Sequence, residues 1–264
     1  MKVKKIAVIG VGNMGGSIVT GIIESGYLPA SSIYIADPKK AVVNELCKKG
    51  VKACSNQEAA EAADLVILAV KPYHIESVIA DLKSALIPEK ILVSIVAGVT
   101  LEHLENIAGD HLRIFRLMPN TAIAIQESMT CISANKKGER DLDTVKELFD
   151  NLGQTVVINE ELMAAATVLA SCGTAFALRY VRAAMQGGIE MGFGAEMAQF
   201  ITAQTVKGAV QLVLNTGNHP EREIDKVTTP RGITITGINE MEHKGFSSSV
   251  IQGLIASFNK MEQA

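Results

Sequence analysis

Up to about residue 159 the chain alternates short β-branched runs with stretches of helical spacing. Residues 5–9 (KIAVI) read as a strand, followed by a glycine turn and a helix through about Ser25. Residues 33–36 form a second strand, with a helix over 42–49. Residues 65–70 (LVILAV) and 91–96 (ILVSIV) are continuously apolar rather than alternating. Such runs fit strands covered on both faces, as in a parallel sheet. Strand patterns at 112–117, 129–133 and 155–158 follow. The alternation predicts a doubly wound α/β domain over 1–159. From Glu160 onward the pattern is helical, with helices expected over 161–187, 195–215, 221–227, 234–243 and 247–263. Residues 160–264 therefore form an all-α second domain. Its frequent Ala and Gly let helices approach closely, and its apolar surface predicts a homodimer.

Composition narrows the classes. Of 264 residues, 48% are hydrophobic and 20% charged, enough to bury a core and too apolar for disorder. Trp is absent and aromatics are 4%, so Ala, Gly, Val, Ile and Met must fill the interior. The net charge of −3, with no long basic run, argues against nucleic acid as a partner. Cys47, Cys54, Cys131 and Cys172 show no CxxC spacing and no accompanying His cluster. They read as free thiols in a reducing, cytoplasmic setting, and no metal is expected. The apolar run after the N-terminal lysines is too short for a signal-peptide core. Residues 162–178 carry no charge, yet a membrane helix needs about 20 predominantly apolar residues. Thr167, Ser171, Gly173 and Thr174 interrupt this stretch. It reads as a buried helix at a subunit interface, with no membrane partner.

Gly10-Val11-Gly12-Asn13-Met14-Gly15 matches GxGxxG between a predicted strand and a predicted helix, the context the motif requires. Gly10 allows the tight turn, and Gly12 lets the backbone approach a pyrophosphate. The helix start offers unpaired N–H groups and partial positive charge. The plain alternative is a glycine-rich turn that binds nothing. Asp37 ends the second strand, 22 residues beyond Gly15. An acid there holds the adenine ribose hydroxyls. Lys39 and Lys40 could instead neutralise a 2′-phosphate, and Asp37 could also cap a helix starting at Pro38. The choice between NADH and NADPH stays open. Val70, Lys71 and Pro72 close the strand at 65–70 and should face the nicotinamide half. Lys71 either reaches the cofactor's hydroxyls or phosphate or is a solvated loop lysine. Ala97 and Gly98 end the next strand and leave room for a flat ring.

No nucleophile–base pair stands out. His74, His103, His111, His219 and His243 are scattered. Hydride transfer needs little from a protein beyond orientation and electrostatics. Residues 227–234 (VTTPRGIT) break two helical patterns at Pro230 and Gly232. A helix start near Thr234 would suit a small carboxylate, with Thr228, Thr229 and Thr234 adding hydroxyls. The alternative is an ordinary turn between helices.

Residues 225–242 (DKVTTPRGITITGINEME) resemble the V-x-S-P-G-G-T-T-I signature of pyrroline-5-carboxylate reductases. Residues 10–15, 68–72 (LAVKP), 97–100 (AGVT) and 116–121 (RLMPNT) resemble that family's other motifs in order and spacing. The resemblance spans essentially the whole chain. It implies a Rossmann-type domain followed by an all-helical dimerisation domain, and NADPH- or NADH-dependent reduction of a cyclic imino acid to L-proline. It implies cofactor contacts from Gly10, Val11, Gly12, Asn13, Met14, Asp37, Asn56, Val70, Lys71, Pro72, Ala97 and Asn120. Gly232, Ile233 and Thr234 would hold the substrate, with Thr234 the catalytic residue at the imine nitrogen. Homodimers, and assemblies of dimers, are implied as well. The chain departs from the family at Arg231, where glycine is usual, at Ile233, where Thr or a small residue is usual, and at Thr229, which replaces Ser. A family stretch reading S-G-S-G-P-A-Y becomes Ser171-Cys172-Gly173-Thr174-Ala175-Phe176. A β-hydroxyacid-dehydrogenase-type reductase is the enzyme rival, but no lysine lies between Glu160 and Gln186 to serve as its base. A non-catalytic dinucleotide sensor is the other rival, kept open by Arg231 and Ile233.

Overall fold

The computed structural model describes residues 3–262. Its strands are β1 (Ile6–Ile9), β2 (Ile33–Ala36), β3 (Lys52–Ala53), β4 (Leu65–Leu68), β5 (Ile91–Ser94), β6 (Arg113–Met118), β7 (Ser128–Ala134) and β8 (Gly153–Val157). They form one sheet in the order β3-β2-β1-β4-β5-β6-β7-β8. All neighbours pair in parallel except β6 with β7. The doubly wound α/β class is thus observed. β3 was not legible as a strand, being two exposed residues at the sheet edge.

Strand alternation builds two cores. Ile6, Val8, Leu65, Ile67, Ile91 and Val93 point to one face, where helix α1 (Asn13–Glu24) supplies Ile18, Val19 and Ile22. Ala7, Ile9, Val66, Leu68 and Leu92 point to the other. There α3 (Asn56–Ala62), α4 (Ile75–Leu82) and α5 (Leu101–Ala108) cover them. Helix α2 (Lys40–Cys47) follows β2, and α6 (Leu142–Asp150) packs Val145, Leu148 and Phe149 into the first core. β1, β4 and β5 are buried along their whole length, which is why their sequences run apolar without alternation.

The expected single helix over 161–187 is interrupted. A 3-10 turn (Glu160–Leu162) leads into α7 (Met163–Ala166), a π-helical segment (Thr167–Cys172) and α8 (Gly173–Glu190). The Thr167 hydroxyl donates to the Met163 carbonyl within this wide turn. Next come α9 (Ala195–Thr216), α10 (Pro220–Val227), α11 (Ile233–His243) and α12 (Phe246–Glu262). The helix expected at 247–263 runs past this, and Gln263 lies outside the described residues.

By contacts the chain divides into two compact units, one made of the chain up to Cys172 together with the end of α12 from Lys260, the other being Gly173–Asn259. In the second unit α8 and α9 lie close, with Ala198 directly against Gly188, where an added Cβ would come within 3.1 Å. Only Gly188, Ala198 and Glu223 are buried among its described residues. The burial expected for 162–178 is found only in part within one chain: Met163, Thr167 and Val168 are buried, while Leu169 is 69% and Leu178 62% exposed. A lone helical layer has no second layer to cover them. By length and composition alone, Glu160–Glu190 would pass for a membrane span, with mean hydropathy 1.5 over its most apolar window.

Candidate active site

The parallel strands bring their carboxyl ends to one edge, and the sheet order reverses between β1 and β4. Ligands of open α/β sheets sit in the crevice outside such a reversal. The Gly10 N–H donates to Ala36 O and the Ala69 N–H to Ile9 O, both at 2.8 Å, so the turn after β1 is pinned from both sides. Gly10 has φ +89°, and a Cβ there would meet Ala69 O at 2.7 Å. A Cβ on Gly15 would fall on the Gly10 carbonyl. These two glycines are fixed by packing. Gly12 differs: nothing lies within 4 Å of its missing Cβ. It caps α1 without any side-chain hydrogen bond, so the first N–H groups face an open approach. This fits a pyrophosphate. Asn13 is exposed at this entrance, while Met14 is half-buried against the core.

Asp37 is a structural brace of the same cradle. Its Oδ2 accepts from the Val11 N–H and its Oδ1 from the Lys39 N–H, each at 2.8 Å. The idea that Asp37 caps a helix starting at Pro38 is corrected: α2 starts at Lys40, with Lys39 at the N-cap position and no side-chain cap. The carboxylate instead folds over the Pro38–Lys39 turn and onto the glycine loop. The Val11 side chain is buried, so this residue frames the loop from below.

Asn56 opens α3 behind a capping box in which Ser55 Oγ accepts from the Glu58 N–H and Glu58 accepts from the Ser55 N–H. These bonds to Ser55 hold the Glu58 carboxyl below the usual glutamate range. Asn56 Nδ2 donates to Asp81 Oδ2 at 3.0 Å, a partner on α4 that no local pattern announced. After β4, Val70 is half-buried while Lys71 and Pro72 are exposed. The Lys71 ammonium has no ion-pair partner among the described residues. Beside it a cleft of about 560 Å³ is lined by Pro72, Tyr73, Gly98, Thr100 and the facing pair Glu76 and His103. Ala97 packs against a small buried cluster of Met118, Cys131 and Met163. Burial pushes the Cys131 thiol pKa up, so this cysteine is an inert packing residue. Asn120 is buried, and its amide is committed internally. Its Oδ1 accepts from the Ala122 N–H, and its Nδ2 donates to Ala170 O in the π segment. Among the described residues no group of three or more His, Cys, Asp or Glu is placed to hold a metal ion.

In the second unit, Gly232 caps α11 with no side-chain hydrogen bond, and its N–H donates to Thr229 O at 2.8 Å. A Cβ on Gly232 would sit 2.6 Å from Thr229 Oγ1. Arg231 holds φ +61°, the left-handed conformation that glycine adopts freely. Ile233 is 92% exposed, and the exposed Thr234 hydroxyl has no partner among the described residues. The start of α11 thus presents the first-turn N–H groups after Gly232 and an exposed Thr234 hydroxyl side by side, suited to a carboxylate and a neighbouring acceptor.

Residues 160–264 match the family model described as pyrroline-5-carboxylate reductase dimerisation, and residues 5–98 match one described as NADP oxidoreductase, coenzyme F420-dependent. Pyrroline-5-carboxylate reductase 2 of Dictyostelium discoideum is 38% identical over 99% of this chain and 93% of its own length. Reductase 1 of that organism is also 38% identical, over 97% of this chain, but the chain spans only 49% of that relative's length. The Plasmodium falciparum pyrroline carboxylate reductase crystal structure with NADP bound superposes with a TM-score of 0.89 at 26% identity. That match covers 98% of this chain and 97% of the other. With a full-length likeness of this kind at both levels, the chain belongs to the pyrroline-5-carboxylate reductase family.

Proposed function

We propose that this chain reduces 1-pyrroline-5-carboxylate to L-proline with NADPH or NADH, the last step of proline biosynthesis. The observation that carries the reading is the Gly12 cradle, open where Gly10 and Gly15 are closed, within a chain of this family. Bound there, a reduced nicotinamide supplies the hydride. The backbone at Gly12 and the first turn of α1 bind the pyrophosphate. Lys71 adds a positive charge to the cofactor's hydroxyls or phosphate, and Ala97 and Gly98 leave room for the ring. The N–H groups at Ile233 and Thr234 hold the substrate carboxylate, while the Gly232 N–H stays bonded to Thr229 O and Gly232 lets the backbone approach closely. The Thr234 hydroxyl donates to the imine nitrogen and polarises the C=N bond. A threonine is too weak an acid to protonate that nitrogen, so water delivers the proton that completes the amine. Most of the acceleration comes from holding donor and acceptor carbons about 3–3.5 Å apart.

The apolar helical stretch Glu160–Glu190 falls in the dimerisation match, which supports a second copy rather than lipid as its cover. A cytoplasmic homodimer, able to stack into larger assemblies, follows from that reading. The β-hydroxyacid-dehydrogenase and sensor alternatives are set aside by the full-length family match. The deciding measurement is oxidation of NADPH and of NADH by the purified chain with the cyclic imine as acceptor. Loss of about ten-fold or more in kcat/KM, roughly 1.4 kcal/mol, is expected for Thr234→Ala. An unaltered value in a folded variant removes Thr234 from the mechanism.

A further inference from the structure

Glu160 Oε1 accepts from Arg116 Nη1 at 3.0 Å and from the Leu101 N–H at 2.7 Å. Arg116 lies on β6 and is buried, and its Nε has no hydrogen-bond partner among the described residues. Leu101 opens α5 directly after residues 97–100, the loop that contributes Gly98 and Thr100 to the cleft beside Lys71. Ala97, at the other end of that loop, packs against Met118, Cys131 and Met163. One carboxylate oxygen therefore joins three pieces of chain: the middle of β6, the start of α5 and the first residue of the dimerisation match. Thr100 already caps α5 by accepting from the His103 N–H, so the helix does not need Glu160 to form. A buried guanidinium with an unfilled donor is unfavourable beside an apolar side chain of similar volume. Stability alone gives little reason for it.

We propose that Arg116 and Glu160 are positioning residues of the reaction, which fix the loop 97–100 where it walls the nicotinamide. The proposal rests on the function stated above. Its sense is geometric. Hydride transfer tolerates little displacement, and a misplacement of about 1 Å can lower rate about a hundred-fold. The pair ties the loop to the sheet and to the root of the helical segment at once.

The test uses the full-length chain and the variants Glu160→Ala and Arg116→Met, with Glu160→Gln and Arg116→Lys as conservative partners. Binding of NADPH is followed by its fluorescence without substrate, beside binding of 2′-phospho-ADP-ribose, which lacks the nicotinamide. The expected result is NADPH affinity weakened about five-fold or more with 2′-phospho-ADP-ribose within about two-fold, kcat lowered about ten-fold, and the KM of the imine little changed. The conservative partners should fall between each variant and the parent. Glu160 is partly exposed, so its variants decide the matter if Arg116→Met does not fold. Equal weakening of both ligands, or no change in either, overturns the proposal. If the parent binds NADH instead, the same comparison is made with NADH and ADP-ribose; a parent chain that binds neither reduced cofactor overturns the reading of the site, and this inference with it. Parental binding with unaltered variants overturns this inference alone.

Discussion

Gly12 and Gly15 are both small residues of one motif, yet the space around them assigns them opposite duties. A methyl on Gly12 meets nothing within 4 Å, while one on Gly15 strikes the Gly10 carbonyl. Gly12→Ala should keep the parental melting temperature and lose about ten-fold or more in NADPH affinity, read by fluorescence titration. Gly15→Ala should instead lower the melting temperature, because backbone must move. Matched stability losses would contradict this division. Arg231 supplies a second contrast. Its φ of +61° is a conformation in which a side chain costs of order 1 kcal/mol and glycine does not. Arg231→Gly should therefore raise stability by up to about 1 kcal/mol in denaturant unfolding, partly offset by the freer unfolded chain. These distinctions lie in the coordinates of neighbours. The motif spacing locates the glycines, but it does not say which of them touches ligand. Spacing likewise located Asp37 without revealing the Val11 N–H that it accepts from, 26 residues away.

At the scale of elements, α3 shows how a short helix is held. Its start has the Ser55–Glu58 box. Its end has Lys90, a buried lysine whose ammonium donates to the carbonyls of Ala60, Glu61 and Ala63. Glu58 is depressed in the folded chain by its bonds to Ser55. Its stabilising contribution is therefore complete above the ordinary glutamate pKa and is lost as pH falls through the lower folded value. Unfolding of the parent and of Glu58→Ala, compared across acid pH, should differ at neutrality and converge at the acid end. A constant gap would refute the assignment. β1, β4 and β5 were legible because burial on both faces writes itself as an apolar run. β3 was not, since two exposed residues carry no period. The π segment was hidden because Thr167–Cys172 reads like any helical stretch. The Asn120–Ala170 and Arg116–Glu160 bonds join residues 50 and 44 positions apart, beyond any local pattern.

On the scale of the whole molecule, the exposed side chains Leu169, Leu178, Phe200 and Leu214 are too many for a lone helical layer in water. Leu178→Asp should shift the chain toward monomer in sedimentation, and activity should fall if the helical segment works only when paired. A variant that stays dimeric would show that this face lies outside the contact. The glycine turn carries a last consequence. Its walls are Ala36, at the end of β2, and Ala69, just past the end of β4; both strands flank β1 in space but follow it in the chain. A chain still emerging from the ribosome therefore has no nucleotide pocket until β4 has been released and has slotted in beside β1. Cellular cofactor cannot stabilise folding intermediates earlier than that; it can reward only a chain in which β4 is already in place.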